Sequence, residues 1–322
     1  MKTYLVTGVA GFVGSRLASM ILERGDGVLG IDSLEEGEGG ALREHRLQEL
    51  LSWPKFRFQR LDIRDFEGLD ALFSRERFQT VFHLAAKAGV RMSLVDPWSY
   101  LRVNADGTLN VLEAMRRHQS TKMVMASTSS LYAGLALPFS EDAPVNTPIS
   151  PYAASKKAAE AMAYTYHHQY GIGVTVLRYF TVFGPAGRPD MAPFRFIESV
   201  RQGLHVEVHG DGRQTRDFTF VDDICRGTLL SEGLPGFEIV NLGGGQEPAS
   251  VNQFLEWIEE LVGRKALVRH SPAHEADMRE TSADIRKAKA LLGWIPRVGV
   301  REGLAATVAW HLRRSDSLRI AS

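Results

Sequence analysis

Short β-branched runs alternate with amphipathic stretches along the first half of the chain. The runs are Tyr4 to Thr7, Gly27 to Ile31, Arg57 to Arg60, Thr80 to His83, Lys122 to Ala126 and Val174 to Arg178. Between them the spacing of apolar positions predicts helices over Gly11 to Arg24, Phe66 to Glu76, Trp98 to Arg117 and Pro151 to Tyr170. Strands joined by helix-length crossovers predict an α/β fold, a doubly wound parallel sheet with helices on both faces. After about Phe180 the rhythm changes to Pro- and Gly-punctuated loops, a basic-aromatic stretch from Arg188 to Phe196, and shorter elements through Trp310. That change predicts a smaller α/β substrate-binding lobe. Glu238 to Leu242 is again β-like and is expected to return to the first sheet, so the division is interleaved. Residues 1–180 with about 218–245 are expected to form one domain, and 181–217 with 246–315 the lobe. Glu35 to Glu44, rich in glycine and glutamate, reads as a surface loop, and 316–322 as a weakly held tail.

Composition narrows the class. The chain has 322 residues, 44% of them hydrophobic, enough for a sizeable core and against disorder or a fibre. Lys plus Arg equals Asp plus Glu at 38 each, so no net charge draws the chain to nucleic acid or an anionic membrane. The single cysteine, Cys225, forms no internal disulfide and suits a reducing cytosol; its helix-like surroundings offer nothing that activates a thiol. The N-terminus turns glycine-rich at Gly8 before a signal-peptide core forms. No window reaches the roughly 18–20 apolar residues of a membrane span. A cytoplasmic protein with no nucleic-acid or membrane partner is expected.

The first strand runs into Gly8-Val9-Ala10-Gly11-Phe12-Val13-Gly14 and then an amphipathic helix. Glycines let the backbone approach a pyrophosphate, and the helix start presents free N–H groups and positive dipole to it. A glycine-rich turn at a strand–helix joint is common, so the context decides. Asp32 ends the second strand about twenty residues on, where a carboxylate accepts ribose hydroxyls. Ser33, Leu34, Glu35 and Glu36 follow, with no arginine for a 2′-phosphate, so NAD is expected rather than NADP. Asp62 and Ile63, after the third strand, are placed to meet the adenine edge.

Tyr152 and Lys156 stand four apart, on one face of the expected helix. A nearby ammonium and an oxidised nicotinamide both favour a phenolate, which makes Tyr152 a usable acid/base. The strand before it opens into Ser127-Thr128-Ser129-Ser130, so Thr128 is placed to hydrogen-bond a reacting alcohol and pass its proton to Tyr152. No metal is expected: His205-Val206-Glu207-Val208-His209 alternates as an exposed edge strand does. His167 and His168 are expected to face solvent or a partner subunit, and Phe194 to Phe196 to form a pocket wall or pack.

The chain resembles the extended short-chain dehydrogenases/reductases and, within them, the nucleotide-sugar epimerases. The matches are TGxAGFVG at Thr7 to Gly14, HLAAKAGVR at His83 to Arg91, Tyr152-x-x-x-Lys156, GDGRQTRDFTFVDDI at Gly210 to Ile224, NLGGG at Asn241 to Gly245, and ADIRKAKALLGWIP at Ala283 to Pro296. The resemblance implies a Rossmann domain holding NAD throughout turnover. It implies that Leu84, Ala85, Ala86 and Lys87 join the cofactor residues, with Tyr152, Lys156 and Tyr179 and with Asn104 behind, and that Lys87, Val90 and Arg91 reach the sugar pocket.

Arg178-Tyr179-Phe180-Thr181-Val182-Phe183-Gly184-Pro185, followed by Gly187-Arg188-Pro189-Asp190-Met191-Ala192, is most similar to UDP-glucuronate 4-epimerases, which carry RxFTVYGP…GRPDMA. UDP-galactose 4-epimerases have asparagine where this chain has Thr181. Sugar 4,6-dehydratases and UDP-glucuronate decarboxylases place a carboxylate after the threonine; this chain has Ser129 and Ser130. The resemblance implies removal of hydride from C4, rotation of the 4-keto sugar and return of hydride to its other face. A 4-keto uronate loses CO2 when its carboxylate aligns with the carbonyl π-system, so Thr181, Ser129, Ser130 and Arg188 are expected to hold that group, Arg188 as the only formal countercharge, with Met191 alongside. Arg216 is expected on the diphosphate. Asp277 is implied near the uridine ribose, although the glycine that precedes it in relatives is missing, and Arg279 is the candidate for a second arginine. A homodimer is implied through the helices Trp98 to Arg117 and Pro151 to Tyr170. A neutral-sugar 4-epimerase, a decarboxylase and a non-catalytic NAD-sensing protein remain as alternatives.

Overall fold

The computed structural model describes residues 2–35, 39–245, 248–273 and 278–320, so Glu36 and Asp277 lie outside the described residues. Seven parallel strands form the central sheet: β1 (Thr3–Thr7), β2 (Gly27–Asp32), β3 (Phe56–Arg60), β4 (Val81–His83), β5 (Lys122–Thr128), β6 (Gly173–Tyr179) and, returning late in the chain, Phe237–Leu242. The late strand pairs with β6, register Asn241 to Arg178, which gives the interleaving expected from the sequence. β1 has β2 on one side and β4 on the other, so the winding reverses between β1 and β4. A crevice opens at the carboxyl ends of the strands there, which is where such folds bind ligands.

Helices cover both faces. On one lie α1 (Phe12–Glu23) and α2 (Gly40–Leu51), with Leu17, Ile21, Leu47 and Leu50 buried against Val6, Val28 and Val124. On the other lie α3 (Phe66–Arg75), which buries Leu69, Leu72 and Phe73, and the helices that follow β4 and β5. α2 corrects the loop expected over Glu35 to Glu44: residues 40–44 are helical, after Gly39 in the left-handed region at φ +84°.

The helix expected over Trp98 to Arg117 is broken in three. After α4 (Val90–Val95), the chain forms α5 (Pro97–Leu101), a single π-helical segment at Arg102–Asp106, and α6 (Gly107–Arg117). Such wide turns gather at functional sites, and this one carries Asn104 inward. Pro151–Tyr170 forms α7 as expected. Ser150 caps it by accepting from the Ala153 N–H at 3.2 Å, Pro151 opens it where no N–H is needed, and Gly171 closes it at φ +72°.

The lobe has its own core. Strands β7 (Thr181–Phe183), β8 (His205–His209), β9 (Thr215–Arg216) and β10 (Phe218–Phe220) are followed by the returning sheet strand, β11, then β12 (Ala249–Ser250) and β13 (Leu267–Ser271). Phe183, Phe218 and Phe254 pack edge-on or stacked, so β10 joins the lobe core although the sequence boundary fell near residue 218. β8 pairs with β13, buries Val206 and Val208, and turns its histidines the other way. Phe196, on helix α8 (Ala192–Gln202), is buried packing in this core. Helix α9 (Val221–Leu230) returns to the main domain and buries Cys225 against the α1 face, where burial drives its thiol pKa up and leaves it inert. α10 (Val251–Val262), α11 (Arg286–Leu292) and α12 (Val300–Ile320) complete the chain, and α12 runs on into the segment expected as a tail. Among the described residues no helix is long and apolar enough to cross a membrane.

Candidate active site

The crevice is a cavity of about 800 Å³. Its floor is the turn from β1 into α1. Gly8 sits at φ +69°, and a β-carbon there would lie 2.8 Å from the Ala85 backbone; one on Gly14 would strike the Gly8 carbonyl oxygen. Only glycines let this loop lie so flat between β4 and α1, and Gly8, Gly11, Phe12, Val13 and Gly14 all line the cavity. Asp32, at the end of β2, accepts N–H bonds from Ala10 (3.0 Å) and Leu34 (2.9 Å). Burial raises its pKa while those N–H groups pull it down. Asp62 and Ile63 line the same end, Asp62 lowered by an ion pair with Arg64 at 2.6 Å. A flat glycine cradle at a helix start with a carboxylate beside it fits a dinucleotide.

The other half holds the acid/base pair. Tyr152 lies on the first turn of α7, where burial raises its pKa and a hydrogen bond with Thr128 and the Arg188 charge lower it. Thr128, at the end of β5, is buried and shares a 3.1 Å bond with the Ser130 hydroxyl. Lys156, one turn on, is buried and donates to the Ala126 carbonyl at 2.8 Å. Tyr100 stacks edge-on against Tyr152 with ring centroids 6.1 Å apart. His83, in the HLAA segment, bridges the Thr7 and Thr108 hydroxyls at 2.9 Å; burial and then the Lys156 charge hold it near pKa 3, so it is neutral and structural.

Desolvation lowers the Lys156 pKa from 10.5 to about 8, partly offset by Glu160. The folded chain therefore binds fewer protons than the unfolded one between about pH 8 and 10.5. Lys156 costs the fold up to about 3 kcal/mol below that window, at roughly 1.4 kcal/mol per pH unit, and the cost fades as pH rises through it. Lys156→Met is accordingly expected to be more stable than the parent at pH 7, with the gap closing toward pH 10.5. Urea midpoints of both proteins across that range check this; a gap independent of pH would show that the ammonium carries no such cost.

Leu84, Ala85, Ala86, Lys87, Val90 and Tyr179 line the cavity, as do Ser129, Ser130, Thr181, Arg188, Met191 and Arg216. Asn104 does not. It stands behind the wall, where its amide bonds both backbone groups of Lys87 at 2.8 and 2.9 Å and the Ser155 hydroxyl at 2.9 Å. Arg91 is also outside the lining. Arg188 differs from the lone countercharge expected: it pairs with Asp190 at 2.5 Å and donates to the Ala88 carbonyl at 3.1 Å. Arg216 donates to the carbonyls of Thr215 (2.9 Å) and Arg279 (3.4 Å), so Arg279 serves through its backbone; its side chain does not line the cavity. The sequence reading missed Arg46, Tyr100 and Asp190, all of which line the cavity. Asp190 alone had a signal, two residues from Arg188.

Comparison with known proteins agrees with this geometry. Residues 4–243 match the model of the NAD dependent epimerase/dehydratase family. The UDP-glucuronate 4-epimerase of Thermodesulfobacterium geofontis is 51% identical over 99% of both chains. The crystal structure of UDP-glucuronic acid 4-epimerase from Bacillus cereus, in complex with UDP-glucuronic acid and NAD, superposes with a TM-score of 0.92 at 35% identity, over 97% of this chain and 99% of that one. The UDP-glucose 4-epimerase of Thermotoga maritima, solved with UDP-glucose, gives 0.90 at 32% identity over 97% and 99%. The glycine cradle, the Tyr152–Lys156 helix and the matched span together identify the chain as a member of the NAD dependent epimerase/dehydratase family.

Proposed function

We propose that the chain is an NAD-dependent UDP-glucuronate 4-epimerase, interconverting UDP-glucuronate and UDP-galacturonate. The observation that carries this is one cavity joining a dinucleotide cradle, the Thr128–Tyr152 pair, and the neutral hydroxyls of Ser129, Ser130 and Thr181. Support comes from the relative that shares 51% of its residues along its whole length. Residues 1–180 with about 218–245 bind the dinucleotide on this reading, and 181–217 with 246–315 the nucleotide sugar.

NAD, held by the glycine loop, Asp32 and Lys156, supplies a reversible two-electron acceptor at C4. Tyr152 takes the C4 hydroxyl proton and later returns it, so the phenol ends each turnover as it began. Thr128 orients that hydroxyl. The Arg188 charge favours the phenolate, and the Lys156 ammonium, one turn along the same helix, is assigned the same part. The oxidised sugar turns its opposite face within the cavity, while Arg216 keeps the diphosphate anchored.

During that turn the carboxylate must stay out of line with the C4 carbonyl. Since Asp190 already shares the Arg188 charge, the hydroxyls of Ser129, Ser130 and Thr181 carry much of this duty. Thr181→Ala and Arg188→Ala are expected to release UDP-pentose, on the order of tenfold above the parent, as loss of a hydrogen bond to a charged group implies. Chromatography of the nucleotide sugars checks this; unchanged turnover with no pentose would end the carboxylate-clamp idea.

Incubating the purified chain with UDP-glucuronate and with UDP-glucose, and separating products, tests the assignment. UDP-galacturonate supports it. Galactose from UDP-glucose would favour the neutral-sugar reading, to which the Thermotoga maritima structure lends weight. Pentose alone would mean a decarboxylase, and no product an NAD-sensing protein. We further place the chain in the cytoplasm and read it as a homodimer; the exposed Trp98 and Leu101 on α5 and Tyr164 and Tyr170 on α7 support the dimer.

A further inference from the structure

Helix α2, unforeseen in the sequence, lies between the two loops that the reaction uses at once. Arg46 is 4% exposed. Its Nη1 donates to the Ala10 carbonyl in the glycine loop at 3.2 Å. Its Nε and Nη2 donate to the Ala186 carbonyl at 3.0 and 2.6 Å, and Nη2 donates also to Gly187 at 2.9 Å. Seven residues earlier, at the start of α2, Gly39 approaches the same loop so closely that a β-carbon on it would lie 3.1 Å from Pro189 Cγ.

Ala186 sits at φ +53°, in the left-handed region that an alanine disfavours. Two residues on, Arg188 enters the cavity, close enough to Tyr152 for its charge to act on the phenol. On the cofactor side, Arg43 donates to the Glu35 carbonyl at 2.6 Å, and the charges of Arg43 and Arg46 both favour the Asp32 carboxylate. One helix thus touches the ribose loop, the glycine loop and the sugar-side loop.

We propose that Arg46 is a positioning residue that ties the glycine loop to the Ala186–Gly187 turn and so sets the placement of Arg188 in the sugar half of the cavity. The proposal rests on the reading of Arg188 as a sugar-side group.

A double-mutant cycle on the full chain tests it: Arg46→Lys, Arg188→Ala and the pair, with Arg46→Ala as a harsher variant screened by its melting curve. The readouts are the dissociation constant for UDP-glucuronate, the KM and kcat, and bound NAD. Arg46→Lys keeps the charge but cannot span three carbonyls. It is expected to weaken UDP-glucuronate binding about tenfold and raise KM alike, with a smaller change in kcat and NAD content within about twofold. In the Arg188→Ala background the same replacement is expected to change binding by less than about twofold, because neighbours acting in series are not additive. An equal loss in both backgrounds, or unchanged binding in Arg46→Lys, overturns the coupling. If Arg188→Ala alone leaves binding and product ratio untouched, the sugar-side reading of Arg188 falls and takes the proposal with it.

Discussion

Tyr152→Phe is expected to lower the epimerisation rate by about 10²- to 10⁴-fold, the range that a positioned proton-transfer group supplies. The replacement removes one oxygen and leaves the ring, so the edge-on packing against Tyr100 is retained. Cofactor binding rests on the glycine loop, Asp32 and Lys156; Lys156 shares α7 with Tyr152 but gives its own hydrogen bond to the Ala126 carbonyl. KM and bound NAD are therefore expected to stay near the parent values while kcat collapses, the signature of a group used only in the chemical step. Thr128, which hydrogen-bonds that phenol, would remain able to orient the sugar hydroxyl but has no comparably acidic proton to exchange. Interconversion of the two UDP-uronates by Tyr152→Phe at the parent rate would remove Tyr152 from the chemistry. Loss of bound NAD in the same variant would instead make it a cofactor-holding group.

What the sequence disclosed depended on whether the chemistry and the folding pattern agreed. Gly8 to Gly14, Asp32 and the Tyr152–Lys156 pair are local patterns whose residue types serve structure and function together, and they converge in one cavity. α7 was legible end to end because Ser150, Pro151 and Gly171 mark both its termini. α2 was not legible, and the reason is physical. Its buried face reads Leu42, Arg46, Leu47 and Leu50, so a guanidinium stands at a position where the helical period calls for an apolar side chain. A run of Gly-Gly before it and charges throughout completed the disguise. The π segment at Arg102–Asp106 was hidden for a related reason: it serves the reach of Asn104 to Lys87, a long-range contact with no local signature. Asp190, too, follows from spatial pairing; its charge was visible, its hold on Arg188 was not.

The second large effect concerns a charge that never meets the substrate. Glu160→Gln is expected to destabilise the fold by about 3–5 kcal/mol, the cost of leaving a buried partner charge uncompensated. Glu160 on α7 and Arg178 on β6 pair at 2.8 Å with side chains each only 2% exposed. Burial works against the Arg178 charge, and Glu160 more than offsets it, so the guanidinium stays above its ordinary pKa. The Ser127 hydroxyl donates to Glu160 at 2.6 Å, Arg178 donates to the Tyr132 hydroxyl at 2.8 Å, and Tyr132 donates to Asn241 on β11 at 2.8 Å. This network fastens the helix that carries Tyr152 and Lys156 to the strand that ends in Thr128. Its carboxylate also favours the Lys156 ammonium, so its loss should push that pKa below about 8. An apolar replacement of both partners, Glu160→Leu with Arg178→Met, is expected to recover most of the stability, since well-packed apolar groups often match a buried pair. Activity is expected to stay low, because the ammonium then lacks its support. Urea denaturation of the single and double variants, read beside their turnover, separates the two duties. A single variant costing less than about 1 kcal/mol would show that Arg178 finds its compensation elsewhere.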